Sequence, residues 1–226
     1  MTKDEKIFER LSSDYQKVAE KYTVLGVFLQ GSQNYGLDYE GSDIDTKAII
    51  IPTLEDIVLN RKPVSTTWIL ESNEHIDVKD IRLMHECFRK QNINFVEILF
   101  TKYRILNLEY EDLYQPMFDC REYIAHYNKI AADKCILGQI MEKRKALCHP
   151  YPTIIDRIEK YGYDSKQLHH LMRVENYLMR YIAGESYEAC LVPDEETAEA
   201  QFAYECDKLE CDIQSKLYDK ENCVDL

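Results

Sequence analysis

Apolar residues recur at helical spacing near the start of the chain, where Ile7, Phe8, Leu11, Tyr15 and Val18 fall along one side of a helix expected from Lys3 to Glu20. The period then shortens. Val24-Leu25-Gly26-Val27-Phe28-Leu29 is a continuous apolar run of strand length and predicts a buried strand. A second strand is expected from Asp43 to Ile51, stopped by Pro52, after which Thr53 is placed to cap a short helix opening with Leu54-Glu55-Asp56-Ile57. Ser65 to Leu70 and His75 to Val78 pair as a hairpin through Glu71-Ser72-Asn73-Glu74. A helix follows from Ile81 to Lys90, and Asn94 to Phe100 is a compact apolar segment.

Strand signals vanish from Leu108 onward. Glu111 to Leu147 predicts one or two long helices broken near Pro116, and His149-Pro150-Tyr151-Pro152 interrupts the chain because each proline restricts its own φ and its predecessor's conformation. Thr153 to Tyr161 predicts another helix, ended by Gly162, and the last thirty residues are acidic and weakly amphipathic. The fold class expected is α+β, with a compact mixed-sheet domain over residues 1–105 and an all-helical domain with an acidic tail over residues 106–226.

Composition narrows the partners. With 45% hydrophobic and 31% charged residues, the chain has the balance of a folded protein and not of a disordered one. It has no run of eighteen apolar residues, and Met-Thr-Lys-Asp-Glu-Lys lacks the apolar core of a secretory signal, so a cytoplasmic protein without a membrane partner is expected. Its eight cysteines, at 87, 120, 135, 148, 190, 206, 211 and 223, form no Cys-x-x-Cys pair and are expected to be reduced thiols. The spacing of Cys206 and Cys211 does not suit a zinc ribbon. A formal net charge of −13 disfavours binding to extended nucleic acid, which draws its affinity from phosphate neutralisation, while leaving a hairpin or an RNA end open.

The candidate chemistry lies between residues 31 and 45, GSQNYGLDYEGSDID. Gly31 and Ser32, directly after the first strand, are small enough to let a phosphate chain approach the backbone. Asp43 and Asp45 flank Ile44 at period two, so on a strand both carboxylates share one face. Paired carboxylate oxygens suit Mg²⁺, a hard ion that also keeps some of its waters.

On these residues the chain resembles the DNA polymerase β-type nucleotidyltransferase superfamily, whose signature is Gly-Ser, a spacer and Asp-x-Asp. More narrowly, GSQNYGLDYEGSDIDTKAI is similar to the branch of nucleotidyltransferases that includes RNA-ligase-associated RNA-repair proteins; the aromatic Tyr35 and the Ser42-Asp43-x-Asp45 ending carry that likeness. Asn94-Phe95-Val96-Glu97-Ile98-Leu99 matches the family's closing stretch. The resemblance implies a polymerase β-like catalytic domain, a nucleoside triphosphate as substrate, two Mg²⁺ ions, and transfer of a nucleoside monophosphate to an acceptor hydroxyl. It also implies a third carboxylate on a later strand, supplied by Asp77 or Asp80. Alternation sets Asp77 beside Lys79, opposite Ile76 and Val78, which favours Asp77 as ligand or base and leaves Asp80 as the cap of the following helix.

Three donors stand together in the second half. Lys166, His170 and Arg173 fall at i, i+4 and i+7 of one helix face, beside a separate apolar stripe of Leu168, Leu171, Val174 and Leu178. This stripe of donors, which also resembles the family's helical segment, is expected to hold the triphosphate and complete the nucleotide cleft. Glu142-Lys143-Arg144-Lys145 is expected to be a solvated helix end favoured by the macrodipole, the alternative being that Lys143 reaches a phosphate. Gly31, Ser32, Tyr35 and Ser42 are the nucleotide-binding candidates of the first half, Tyr35 being placed either to stack on a base or sugar or to pack in the core. His75 and His149 are expected to be structural. The acceptor stays open among an RNA end, a tRNA, a protein and a small molecule. A nucleotide-binding regulatory or antitoxin-like protein that transfers nothing is the alternative class.

Overall fold

The computed structural model describes residues 2–36, 38, 42–152 and 154–205. Thr153 and the segment from Cys206 onward, with Cys206, Cys211 and most of the acidic tail, lie outside the described residues, as do Leu37 and residues 39–41 of the motif. The chain divides into two units, Met1–Ala132 and Asp133–Leu226. The division falls well beyond the boundary expected near residue 105, because two helices that follow the sheet belong to the first unit.

In the first unit, α1 (Lys3–Ala19) starts at Thr2, whose hydroxyl accepts from the Glu5 amide while the Glu5 carboxylate accepts from the Thr2 amide. This reciprocal box satisfies two N–H groups that a helix start otherwise leaves open. The strands are β1 (Thr23–Gln30), β2 (Asp45–Ile51), β3 (Ser65–Ile69), β4 (His75–Asp80) and β5 (Arg104–Leu106), with α2 (Leu54–Val58) between β2 and β3. Among the described residues they form one mixed sheet in the order β3-β4-β2-β1-β5, in which β2 and β4 run parallel and the other neighbours antiparallel. Ile7, Leu11 and Val18 of α1 cover one face of it, against Val27, Leu29, Ala48, Ile50, Ile76 and Val78. The opposite alternation, Asp45 and Lys47 on β2 with Asp77 and Lys79 on β4, stands on the other face.

Between β4 and β5 lie α3 (Met84–Arg89), continuing a 3₁₀ turn at Ile81–Leu83, and α4 (Ile93–Val96), followed by a 3₁₀ turn at Glu97–Leu99. The chain then forms α5 (Glu111–Asp119), α6 (Arg121–His126) and α7 (Lys129–Leu147). Pro116 lies inside α5 instead of ending it; the break comes at Cys120, whose φ of −100° and ψ of 14° leave the helical region. The second unit contains α8 (Ile155–Tyr161), α9 (Ser165–Ala183), α10 (Tyr187–Leu191) and α11 (Glu195–Glu205). Gly162, at φ 84°, ends α8 as expected. Tyr177, Tyr181 and Tyr187 stack and meet edge to face at the centre of this unit.

The α+β class and the first four strands follow the sequence pattern, with one difference at the motif. β2 begins at Asp45, not Asp43, because its partner β1 ends at Gln30 opposite Asp45 and turns away at Gly31. Asp43 and Ile44 therefore precede the strand and lack that ladder. Cys87, Cys120 and Cys135 are free thiols, and among the described residues no helix is long and apolar enough to cross a membrane.

Gly26 stands at a close approach between two strands. A Cβ there would lie 2.8 Å from Leu106 Cδ2 and 3.1 Å from the Ile105 carbonyl oxygen, where β5 joins β1. Gly26→Ala is expected to lower unfolding stability by about 1–3 kcal/mol through overpacking, measured as a drop in the denaturant midpoint at unchanged slope.

Candidate active site

The register of β1 and β2 assembles the first half of the site. Gln30 pairs with Asp45, so the turn starting at Gly31 emerges directly beside the acidic end of β2. Gly31 has φ 84° and ψ −161°, a backbone state that excludes a side chain, and it opens a 3₁₀ turn over Ser32–Asn34. Asn34 fixes this turn from both sides, its amide donating to the Leu29 carbonyl at 2.8 Å and its oxygen accepting from Thr101 Oγ1 at 2.6 Å. Gln33 Nε2 donates to the Ser42 carbonyl at 3.3 Å, tying the turn to the residue before Asp43. Neither Gln33 nor Asn34 is evident from residue type alone.

Tyr35 does not offer its ring for stacking. It is 5% exposed, and its hydroxyl donates to Glu97, itself buried in the turn after α4. Of the two expectations for this residue, packing describes its place in the structure.

The acidic residues differ in their surroundings. Asp43 is exposed, and its carboxylate makes no hydrogen bond among the described residues. Asp45 is half-exposed; one oxygen, Oδ1, accepts the His75 backbone N–H at 2.8 Å and lies 3.2 Å from His75 Nδ1. His75 is thus a neighbour of the site, a position that its place at the foot of a hairpin does not reveal. Asp77 shares the face of Asp45, but both its oxygens are engaged, Oδ1 by Lys79 at 2.7 Å and Thr67 Oγ1 at 3.1 Å, and Oδ2 by Lys47 at 3.7 Å. Asp80 points to the other face, is buried, and caps the following turn by accepting from the Arg82 amide at 2.9 Å, with the Arg82 guanidinium against both oxygens.

Lys47 is the unexpected member. Its ammonium is buried between Asp77 and the turn before Glu97, donating to the Asn94 carbonyl at 2.6 Å and lying 4.0 Å from the centre of the Phe95 ring. Burial pulls its pKa down from the usual lysine range, and the charges of Glu97 and Asp77 oppose that shift. A lysine inside the apolar run Thr46-Lys47-Ala48-Ile49-Ile50 is the sequence signal that marks it.

Asp43 and Asp45 fit a hard divalent cation, since Asp43 is unengaged and Asp45 keeps Oδ2 clear of the His75 bonds. Asp77 does not fit as a third ligand in its present ion pairs, and among the described residues no three His, Cys, Asp or Glu side chains converge as a metal-binding set.

The second unit carries Lys166, His170 and Arg173 on α9, whose first turn is capped by buried Asp164 accepting from the Lys166 amide at 3.1 Å. They do not form a uniform stripe. Lys166 is exposed, His170 is partly buried, and Arg173 lies in the buried face with Val174, Tyr177 and Leu178. Burial, with the nearby charges of Arg173, Lys143 and Lys166, pushes the His170 pKa down to about 3, so its imidazole is neutral at physiological pH.

Two outcomes follow from these surroundings. Tyr35→Phe leaves buried Glu97 without its hydroxyl donor and is expected to cost about 1–3 kcal/mol of stability, read from chemical denaturation. The unfolded chain protonates His170 near pH 6.5 whereas the folded chain does not until about 3, so this residue's contribution to stability is lost as pH falls through that window. Unfolding measured between pH 7 and 4 is expected to show a slope on the order of 1 kcal/mol per pH unit that His170→Gln removes.

No family model and no curated protein matches the chain. Among solved structures, it is similar to a crystal structure of a nucleotidyltransferase-like protein from Exiguobacterium sibiricum, with a TM-score of 0.37 and 10% sequence identity, covering 96% of this chain and 71% of that one.

Proposed function

We propose that this chain is a Mg²⁺-dependent nucleotidyltransferase that moves a nucleoside monophosphate from a nucleoside triphosphate to an acceptor hydroxyl, releasing pyrophosphate. The observation that supports it is the pairing of Gln30 with Asp45, which sets the Gly31-Ser32 turn against the end of β2 that carries Asp43 and Asp45. A phosphate-sized turn and a cation-binding acid pair then face the same triphosphate.

In this reading the acceptor oxygen attacks the α-phosphorus while the bond to the β-phosphate oxygen breaks, and the hydroxyl proton passes to a base. Asp43 and Asp45 would hold Mg²⁺, which when bound would supply charge stabilisation at the phosphate oxygens. The Ser32 hydroxyl and the first amides of its turn hold the β- and γ-phosphates. In this reading Asp77 is the base, and takes the proton once Lys79 releases it. Within the second unit, taken by itself, Lys166 and Arg173 are the cations proposed for a phosphate group, and His170 beside them is neutral. An RNA end is the acceptor that the motif's family resemblance favours, and the net charge of −13 favours a short or folded RNA over a long strand.

The ion pairs of Asp77 with Lys47 and Lys79 favour a second reading, a nucleotide-binding protein that transfers nothing. Transfer from each α-labelled nucleoside triphosphate with Mg²⁺, offered total RNA, protein and small-molecule extracts separately, decides between them. Labelling of one fraction is expected, and Asp43→Ala and Asp45→Ala are each expected to reduce it by more than the roughly 10–100-fold that follows loss of an outer partner of a metal ligand. Nucleotide binding without labelling of any fraction supports the second reading, and absence of binding overturns both.

A further inference from the structure

Behind the acid pair, on the face covered by α1, lies a cluster of charged side chains outside the proposed chemistry. Asp14 of α1 is 1% exposed and lies in the helix's apolar stripe between Leu11 and Val18. It accepts from Arg10 Nε at 2.7 Å and from Thr46 Oγ1 at 2.6 Å, the residue after Asp45. Arg10 Nη1 donates to Glu74, at the foot of β4, so one guanidinium bridges two carboxylates. Glu74 Oε1 accepts the Ile44 backbone N–H at 3.0 Å, and its Oε2 accepts from Ser72 Oγ at 2.8 Å. Its neighbour His75 donates its backbone N–H to the Asp45 carboxylate at 2.8 Å.

This pattern answers a need created by the fold. Ile44 precedes β2 and has lost the β1 ladder, so its amide requires another acceptor, and the residue it belongs to sits between Asp43 and Asp45. Glu74 supplies that acceptor. Arg10 holds Glu74 in place, and Asp14 ties the same guanidinium to Thr46. The segment 43–46 is therefore gripped at Ile44 from one carboxylate and at Thr46 from the other, with Arg10 as their common counterion. A surface arginine with one acidic neighbour would impose no such geometry; here the two carboxylates reach the chain on both sides of Asp45.

We infer that Arg10 and Glu74 are positioning residues, a clamp from α1 and β4 that fixes the backbone of Asp43–Thr46 and so the aim of its two carboxylates. The inference rests on the proposed cation-binding role of Asp43 and Asp45 for its functional consequence, while the clamp itself is a property of the backbone.

The test uses the full chain with Glu74→Ala, Glu74→Gln and Arg10→Lys, reading Ile44 amide exchange by NMR, Mn²⁺ affinity, and kcat and KM for the nucleoside triphosphate. Glu74→Ala removes the acceptor and is expected to speed Ile44 exchange at least about tenfold, to weaken Mn²⁺ binding about tenfold as loss of an outer partner does, and to lower kcat more than it alters KM. Glu74→Gln keeps an acceptor oxygen for Ile44 and is expected to restore most of the exchange protection and the Mn²⁺ affinity. Arg10→Lys keeps the charge but not the fork that reaches both acids, and is expected to fall between. Glutamine also refills the side-chain volume, so positioning is separated from stability by a remote core amide: Val27 exchange is expected to stay at the native rate when only the clamp is lost, and to rise with that of Ile44 when packing is lost. Unchanged Ile44 exchange and Mn²⁺ affinity in a folded Glu74→Ala protein overturns the clamp even where the native chain transfers nucleotide. A native chain that binds no Mn²⁺ overturns the cation reading instead, and Ile44 exchange then decides the clamp by itself.

Discussion

The site hangs on β2, which holds two registers at once. Its antiparallel pairing with β1 brings Asp45 opposite Gln30 and so next to the Gly31 turn, while its parallel pairing with β4 brings Lys47 opposite Asp77. Because side chains alternate with period two, a one-residue slip of β2 against β1 would send Asp45 and Lys47 into the α1 core and turn Thr46, Ala48 and Ile50 outward, and a slip of β4 against β2 would do the same to Asp77. The apolar stripe of α1 opposes that slip, since Ala48, Ile50, Ile76 and Val78 have their contacts only in the observed register. Packing on one face thus fixes the chemistry of the other.

Buried charge adds a second constraint. Lys47, Glu97 and Asp14 are each nearly excluded from water, and removing an ion from water costs several kcal/mol unless partners replace its hydration. Their partners lie in different elements. Tyr35 of the Gly-Ser turn donates to Glu97, the charge of Glu97 acts on Lys47, and Lys47 reaches both Asp77 and the Asn94 carbonyl. The turn that would hold phosphate and the strand that carries the third acid are therefore joined through the segment 93–99. The Asn94–Leu99 stretch thereby supplies the acceptor and the carboxylate that let a lysine stand beneath the acidic face.

Much of this was legible in the chain. Helical spacing located α1, Thr53 and Gly162 marked helix ends, and alternation in His75–Asp80 separated Asp77 from the capping Asp80. What escaped was set by tertiary partners. The start of β2 depends on where β1 turns away, which no feature of Asp43 or Ile44 announces. Tyr35 had two uses open to it, and the position of Glu97, more than sixty residues distant, selects between them. Arg10 and Glu74 look like ordinary helix-surface and hairpin residues, and Asp14, an acid between Leu11 and Val18, shows itself as part of the buried stripe only in the structure. The long helical region failed at Pro116, where a proline was accommodated within a helix and the chain bent instead at Cys120.

The second unit has an electrostatic logic of its own. The chain carries a net charge of −13, yet Lys143, Lys166 and Arg173 all act on His170. Cations gathered against the overall balance repel one another, and the neutral state of His170 relieves part of that repulsion, because a further positive charge there would be both crowded and poorly hydrated. Arg173 contributes in a different way from Lys166, being fixed in the packed face of α9 while the lysine stands in solvent. A buried guanidinium and an exposed ammonium on one helix are one rigid and one adaptable cation, a difference on which the proposed phosphate role of α9 depends.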